Sequence, residues 1–262
     1  MSYVDAHLHL ADQEYSGRIE LLIENAANNR VKHLLSNAMD YDTSVETLSL
    51  ARKYKGTVLA AIGVHPWTVT NRQSFELDKV EQLIEDNGKY VRAIGEIGLD
   101  GQYSRNAEKR RIQREVFQFF LSLAERRKLP AIVHSRMAAD DVLQTLSSFS
   151  PPKVLLHWYS GPLEKLKEIK DRGYLISVGP SIIYSKRISE IAQSAELGLV
   201  LSETDGPVSY HGPYRGRMTQ PSFVIDVVQK LAEIKSLSTE TVREAIWNNF
   251  QNLISSNGKV GV

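Results

Sequence analysis

The sequence predicts an α/β fold, a single (β/α)8 barrel of the TIM type. Short β-rich runs alternate with longer stretches of helical spacing along the 262 residues, and this alternation is typical of βαβ units that build a parallel sheet. Eight such units match the usual length of one barrel. Because neither a linker nor a low-complexity segment divides the chain, we assign residues 1–262 to one domain. A doubly wound open sheet is the alternative.

The individual elements follow in chain order. Eight β-rich runs predict strands over residues 3–9, 31–37, 57–63, 91–95, 131–134, 153–157, 174–178 and 199–202. Helical spacing predicts helices over residues 18–29, 42–54, 75–87, 107–127, 138–148, 162–171, 186–195, 219–235 and 239–255. The longest irregular stretch, residues 204–218, follows the eighth strand, and a loop this long in a compact domain is usually functional or mobile.

The balance of residue types excludes several classes of protein. The chain has no cysteine, which excludes disulfides, zinc–thiolate sites and thiol nucleophiles, so a bound metal would need His, Asp or Glu. Its 32 basic and 31 acidic residues give a net charge of +1, so an anionic partner must be bound by a local patch. Neither a secretory signal nor an apolar stretch near the ~20 residues of a membrane span is visible. We therefore expect a cytoplasmic protein without membrane contact.

The first predicted strand carries metal-capable side chains at every second position. Asp5, His7 and His9 share one face of this strand, because successive side chains point to opposite faces. On their own they would more often form the exposed polar face of an edge strand. Whether they bind a metal therefore depends on partners elsewhere in the chain.

Such partners occur where other predicted strands end. His134 and His157 end the fifth and sixth strands, and Glu96 and Asp205 follow the fourth and eighth. The C-terminal ends of barrel strands form the face that carries the active site. Three or four ligands suit one divalent ion, and six suit a pair that shares a carboxylate. Each residue alone also has a structural explanation, as a turn or core residue, but their shared position favours a metal site.

The remaining histidines differ in position. His65 closes the third strand in GVHPW, and we expect it to line the substrate site together with Trp67. His33 lies at the start of a strand, away from the mouth, and we expect a structural role. His211 lies in the long loop, where we expect a surface position.

Six motifs occur in order between residues 5 and 207: DxHxH, GVHPW, GEIGLD, IVHSR, HWYSG and ETDGP. Together they resemble the TatD family of metal-dependent hydrolases over nearly the whole chain. The resemblance implies a TIM barrel, a cytoplasmic location and deoxyribonuclease activity, often of the 3′-to-5′ exonuclease kind. It also implies two divalent metal ions, for which Mg²⁺, Mn²⁺ and Zn²⁺ are the candidates.

The resemblance further implies which residues bind each ion. The first ion would be bound by His7, His9, Glu96 and Asp205. The second would be bound by Glu96, His134 and His157, so that Glu96 bridges the two. Many other binuclear amidohydrolases place a carboxylated lysine at the bridging position, and the glutamate here favours the TatD-like assignment.

Three positions depart from the usual pattern of the family. Gly101 follows GEIGLD, where an aromatic residue is frequent, and residues 219–221 read Thr-Gln-Pro instead of NEP. The small residue after ETD is Gly206. None of the three touches a proposed ligand, so they bear on substrate preference and not on the metal centre.

These observations predict hydrolysis of a phosphodiester by a metal-activated water, with Asp205 as the general base. DNA or another phosphodiester would contact Arg136, Arg215 and Arg217, while Trp67 offers a stacking surface. One alternative is a metal-dependent hydrolase of ester or amide bonds, such as those in small molecules or aminoacyl-nucleotides. The other is a non-catalytic binding protein on a decayed barrel. The choice between DNA and RNA and the oligomeric state stay open.

Overall fold

A nearly closed barrel of eight parallel strands forms the centre of the molecule, in a computed structural model that describes residues 1–71 and 76–255. The strands are β1 (Tyr3–Leu8), β2 (Val31–Asn37), β3 (Val58–Ile62), β4 (Val91–Gly98), β5 (Ala131–His134), β6 (Val154–Leu156), β7 (Leu175–Val178) and β8 (Val200–Ser202). Each strand pairs in parallel with the next one along the chain. The predicted (β/α)8 architecture is confirmed.

Helices follow the strands and cover the outside of the barrel. Those in the described residues are α1 (Ile19–Asn28), α2 (Tyr41–Lys53), α3 (Pro66–Asn71), α4 (Leu77–Asp86), α5 (Ala107–Arg127), α6 (Ala139–Leu146), α7 (Lys165–Asp171), α8 (Lys186–Ser194), α9 (Val224–Lys235) and α10 (Thr239–Ile254). Within residues 1–71 and 76–255, no helix combines the length and apolar character that crossing a membrane requires.

The starts of several helices are fixed by side chains that cap free backbone N–H groups. Asp40 and Thr43 form a reciprocal capping box at the start of α2, and Asn106 accepts a hydrogen bond from the N–H of Lys109 at the start of α5. Such caps typically stabilise a helix by about 1 kcal/mol. They explain why these two helices begin within a residue of their predicted starts.

Several boundaries differ from the prediction, among them the helix predicted over 162–171, which begins at Lys165, and three differences near the site have a structural reason. The sequence gives no helical periodicity for α3, a short helix with Pro66 at its first position, where the missing N–H is not needed. The predicted helix over residues 219–235 begins only at Val224, because a 3₁₀ turn over Pro221–Phe223 precedes it. Residue 75, the predicted start of α4, lies outside the described residues.

The third difference concerns β4, which continues through Gly98, so Glu96 lies within the strand and not after it. Two glycines let the strand stay close to its neighbour β5. A Cβ atom on Gly95 would lie 2.6 Å from Ile132 Cβ, and one on Gly98 would lie 2.2 Å from the carbonyl oxygen of His134. No larger side chain fits at either position, so the glycines that flank Glu96 are required by packing.

Hydrogen bonds just beyond the strand ends join β1 to the chain that follows β8. The N–H of Asp205 donates to the carbonyl of His7 at 2.8 Å, and the N–H of His9 donates to the carbonyl of Gly206 at 2.7 Å. We call these contacts between β1 and the chain after β8 the seam. The fully buried carboxylate of Asp5 belongs to it, because it accepts hydrogen bonds from the N–H and hydroxyl of Thr204. Asp5 therefore shares the inward face with His7 and His9 but serves barrel closure.

We expect Asp5→Ala to lower the free energy of unfolding by about 2–5 kcal/mol, because it leaves the buried N–H groups of Thr204 and His7 without an acceptor. Burial raises the pKa of the Asp5 carboxyl well above its usual range, which favours its neutral form. Asp5→Asn, a neutral side chain of the same shape, should therefore cost only about 1 kcal/mol. Urea unfolding of both variants measures the difference. Equal losses would contradict the role of this carboxyl as a neutral acceptor.

Candidate metal centre

The predicted ligands come together at the C-terminal mouth of the barrel. His7 lies on β1 and His9 follows it, Glu96 lies on β4, His134 ends β5, His157 follows β6 and Asp205 follows β8. All six residues are buried, with exposed fractions of 9% or less. Side chains from five different strands thus converge on one small volume.

Five distances among four donor atoms of this group agree with a tetrahedral metal site. His7 Nε2 and His9 Nε2 lie 3.3 Å apart, and they lie 3.2 and 3.3 Å from Glu96 Oε2 and 3.4 Å each from Asp205 Oδ1. Ligands about 2.0–2.1 Å from a tetrahedral ion are about 3.3–3.4 Å from one another. Glu96 Oε2 is buried and has no partner in hydrogen-bond geometry. The four residues therefore fit a divalent ion.

The other oxygen of Glu96 faces a second group of nitrogens. Glu96 Oε1 lies 2.7 Å from His134 Nδ1 and 2.8 Å from His157 Nε2, and these two nitrogens are 3.2 Å apart. The contacts to Glu96 are short enough for direct hydrogen bonds. One carboxylate thus has one oxygen in each group, which is the geometry a bridging ligand requires.

The electrostatics of the centre pair carboxylates with imidazoles. Burial raises the pKa of Glu96, but the surrounding side chains of His65, His157 and His7 outweigh it and hold the pKa well below its usual range. Burial lowers the pKa of His9, but the carboxylates of Asp205 and Glu96, 3.4 and 3.3 Å from its Nε2, outweigh it and raise the pKa to about 10. An ion that binds here must displace such protons.

Two of the histidines have acceptors behind the ring that fix which nitrogen faces the centre. His9 Nδ1 lies 2.9 Å from the carbonyl of Asn37, and His134 Nε2 lies 2.8 Å from Asp100 Oδ2. Outer partners of this kind orient metal-binding histidines in many proteins. Glu203 also approaches a histidine, with its Oε2 3.7 Å from His157 Nδ1, but this distance is too long for a hydrogen bond.

The sequence analysis missed Asp100 and Glu203. Both carboxylates are fully buried, and both belong to motifs already recognised, GEIGLD and ETDGP. An acidic residue a few positions beyond a strand end, close to a proposed ligand, is the signal that could have identified them.

His65 contacts the centre as a hydrogen-bond donor. The backbone N–H of Trp67 donates to its Nδ1 at 3.0 Å, so the ring proton must lie on Nε2, which is 3.1 Å from Glu96 Oε1. Burial lowers the pKa of His65 to about 4, so the ring stays neutral. A protonated Nε2 cannot bind a metal, and His65 therefore holds Glu96 in place.

A cavity of about 530 Å³ opens from the centre to the mouth of the barrel. The residues that line it include His65, Trp67 and Arg136, as predicted, and also Trp158, Asp12 and Glu14. The volume lies within the range of sites for small ligands.

Arg215 and Arg217 lie elsewhere in the long loop. Both are exposed, and the guanidinium of Arg217 lies 4.8 Å from the ring of Phe223 and 5.6 Å from that of Tyr214. Within the described ranges, neither arginine lines the 530 Å³ cavity. Tyr210 joins Tyr214 and Phe223 in a small apolar cluster, so this loop has its own core.

The chain around Asp205 is held in an uncommon conformation. Asp205 has a φ of +47°, in the left-handed region that few non-glycine residues adopt. A Cβ on the next residue, Gly206, would lie 2.0 Å from the hydroxyl oxygen of Tyr15. Sparsely populated backbone conformations of this kind cluster at functional sites. The small residue after ETD is therefore needed here for packing. Its carbonyl also accepts the N–H of His9, so the expectation that this position does not touch a proposed ligand was wrong.

Comparison with known proteins identifies the family of this fold and site. A family model described as TatD related DNase matches residues 4–255. A metal-dependent hydrolase of Methanocaldococcus jannaschii, named MJ1582 and uncharacterized, is 32% identical over 249 residues, which cover 95% of each chain. The human protein named deoxyribonuclease TATDN3 is 30% identical over 94% of this chain and 92% of its own.

Solved structures agree with this result. The crystal structure of YJJV, a TatD homologue from Escherichia coli K12, superposes with a TM-score of 0.87 at 28% identity, covering 97% of this chain and 98% of the other. A hydrolase of the TatD family from Entamoeba histolytica, at 22% identity, has the same fold with a TM-score of 0.85. The chain belongs to the TatD related DNase family.

Proposed function

We propose that the protein is a metal-dependent hydrolase that cleaves phosphodiester bonds, and specifically a deoxyribonuclease of the 3′-to-5′ exonuclease type. The observation that carries the proposal is the division of one buried carboxylate, Glu96, between two groups of donor atoms beneath an open cavity. Membership of the TatD related DNase family and the deoxyribonuclease name of the human relative support it.

The chain would hold two divalent ions through the six predicted ligands. The first would bind to His7, His9, Glu96 and Asp205, and the second to Glu96, His134 and His157. When bound, such ions lower the pKa of a water molecule and neutralise the charge that develops on a phosphodiester. The protein has to shield these ligands from bulk water, orient them and keep their metal-binding atoms deprotonated.

Asp205 is the general base in this proposal. Burial raises its pKa, but the hydrogen bond from His9 and the charges of His7 and His157 outweigh it and lower the pKa. The carboxylate is therefore ionised at neutral pH, lines the cavity and can accept a proton from the attacking water.

The cavity wall supports binding at the end of a nucleic acid strand. Arg136 supplies a positive charge for a phosphate, and Trp67 and Trp158 present rings on which a base can stack. Asp12 and Glu14 line another part of the same cavity, where their charges oppose a further phosphate. This arrangement favours a chain end over a strand that runs through the cavity.

The first test is a hydrolysis assay with metal added back. We expect the chelated protein to be inactive and to regain activity on single-stranded DNA with Mg²⁺, Mn²⁺ or Zn²⁺, releasing nucleotides from a 3′ end. Elemental analysis gives the number of ions bound. Faster turnover of carboxylic esters or amides than of DNA would contradict the nuclease assignment, while leaving the metal centre intact.

The second test separates the two proposed ions. Glu96→Gln keeps the size of the side chain and removes its charge, so we expect both ions to be lost or weakened by roughly 100-fold or more, beyond the 10–100-fold typical of outer partners. His134→Ala should weaken only the second ion, because it leaves the four atoms of the first group in place. Calorimetric titration with the metal measures both. Two tightly bound ions in Glu96→Gln would remove the bridging role.

The third test concerns Arg136. We expect Arg136→Gln to weaken binding of single-stranded DNA and to reduce the slope of log K against log salt concentration by about 0.7, the value for one lost phosphate contact. Arg126→Gln is the matched control, because Arg126 pairs with Glu81 at the far end of α5. An unchanged slope in Arg136→Gln would show that this arginine does not contact a phosphate. The exposed Arg215 and Arg217 can be compared in the same assay.

A further inference from the structure

Asp100 lies fully buried behind His134. Its Oδ2 accepts hydrogen bonds from His134 Nε2 at 2.8 Å and from the indole Nε1 of Trp67 at 2.7 Å. Its Oδ1 accepts hydrogen bonds from the N–H groups of Gln102 and Tyr103. The indole and the two backbone N–H groups can only donate hydrogen bonds. The carboxylate therefore acts as a hydrogen-bond acceptor on both of its oxygens.

The bond to Asp100 decides which nitrogen of His134 faces the centre. An ionised carboxylate only accepts hydrogen bonds, so the proton of the neutral ring must lie on Nε2. The free lone pair is then on Nδ1, the atom 2.7 Å from Glu96 Oε1. His9 has a neutral acceptor in the same role, the carbonyl of Asn37. His134 is thus oriented by a full charge and His9 by a dipole.

Trp67 connects this bond to the cavity. Its indole lines the cavity wall, with the ring of Tyr103 4.9 Å away, while its N–H is bonded to the same Asp100 oxygen that His134 contacts. A displacement of the Trp67 ring at the cavity wall would therefore alter the hydrogen bond of His134, because both side chains donate to Asp100 Oδ2.

We propose that Asp100 is the positioning residue for the second metal ion and that Trp67 couples this ion to the cavity wall. The proposal rests on the proposed function, because it requires that a second ion binds at His134. It assigns Asp100 an effect on one ion of the two, and it gives Trp67 a role besides stacking.

Asp100→Asn provides a sharp test. If the amide oxygen of the new Asn side chain accepts the hydrogen bonds from the N–H groups of Gln102 and Tyr103, the amide NH₂ group faces two other donors. These are His134 Nε2 and Trp67 Nε1. His134 is then driven to carry its proton on Nδ1, where it blocks an ion. We expect the Kd of the second Zn²⁺ to rise about 10–100-fold while that of the first changes less than about 2-fold.

Calorimetric titration with Zn²⁺ gives the two dissociation constants, and a ¹⁵N–¹H spectrum of the indole groups gives an independent signal. In the wild-type protein the Trp67 resonance should shift when the second Zn²⁺ binds, and in Asp100→Asn this shift should disappear. Loss of the peak in Trp67→Phe assigns it. Asp12→Asn is the matched control, since it removes one charge from the cavity wall without touching a candidate histidine and retains an oxygen for the cap at Glu14.

The outcomes distinguish this inference from the proposed function. If the wild-type protein binds two Zn²⁺ and Asp100→Asn binds both with unchanged constants, the role of Asp100 is wrong and the metal centre stands. If the wild-type protein binds a single Zn²⁺, the two-ion proposal and this inference are both wrong.

Trp67→Phe keeps the carboxylate and tests the coupling even if Asp100→Asn does not fold. It should raise the Kd of the second Zn²⁺ by a smaller factor than Asp100→Asn, less than about 10-fold. Trp158→Phe, which also changes the cavity wall, should leave both constants unchanged. Equal constants in the two tryptophan variants would overturn the coupling.

Discussion

The charge of Glu96 is the constraint on which the rest of the site depends. A carboxylate buried this deeply is stable only if other groups compensate its charge, since the net cost of an unpaired buried ion is several kcal/mol. Imidazoles approach its two oxygens from the first, third, fifth and sixth strands. The barrel is what allows this, because it brings the ends of separate strands to one point. Each of the four candidate histidine ligands lies within 3.3 Å of one of the oxygens of Glu96.

The sequence was sufficient for those features that are local or periodic. Alternating strands and helices predicted the barrel, and metal-capable residues at strand ends predicted the group around Glu96. The extent of β4 was wrong, since the need for Gly95 and Gly98 arises from Ile132 and His134 on the neighbouring strand. A contact of this kind between strands cannot be seen in a single run of sequence.

The functional residues show the same limit of prediction from the sequence, both for the carboxylates of Asp100 and Glu203 and for the long loop. Asp100 and Glu203 lie beside ring nitrogens of histidines far away in the chain, at 2.8 and 3.7 Å, so these neighbours appear only in three dimensions. Arg215 and Arg217 follow the ETDGP motif closely in sequence, yet in this structure they lie outside the cavity. The loop folds on its own aromatic cluster, which leaves Arg217 against Phe223.

The seam between β1 and the end of β8 has a consequence for the timing of synthesis. Its contacts join residues 198 and 199 positions apart, Val4 to Ser202 and Asp5 to Thr204. The first histidines leave the ribosome early, but Asp205 emerges only with the last strand. An unfinished chain can therefore expose His7 and His9 without the proposed base. Under the proposed function, hydrolysis of nucleic acid would then arise only once the barrel can close, and an incomplete chain would carry no assembled centre.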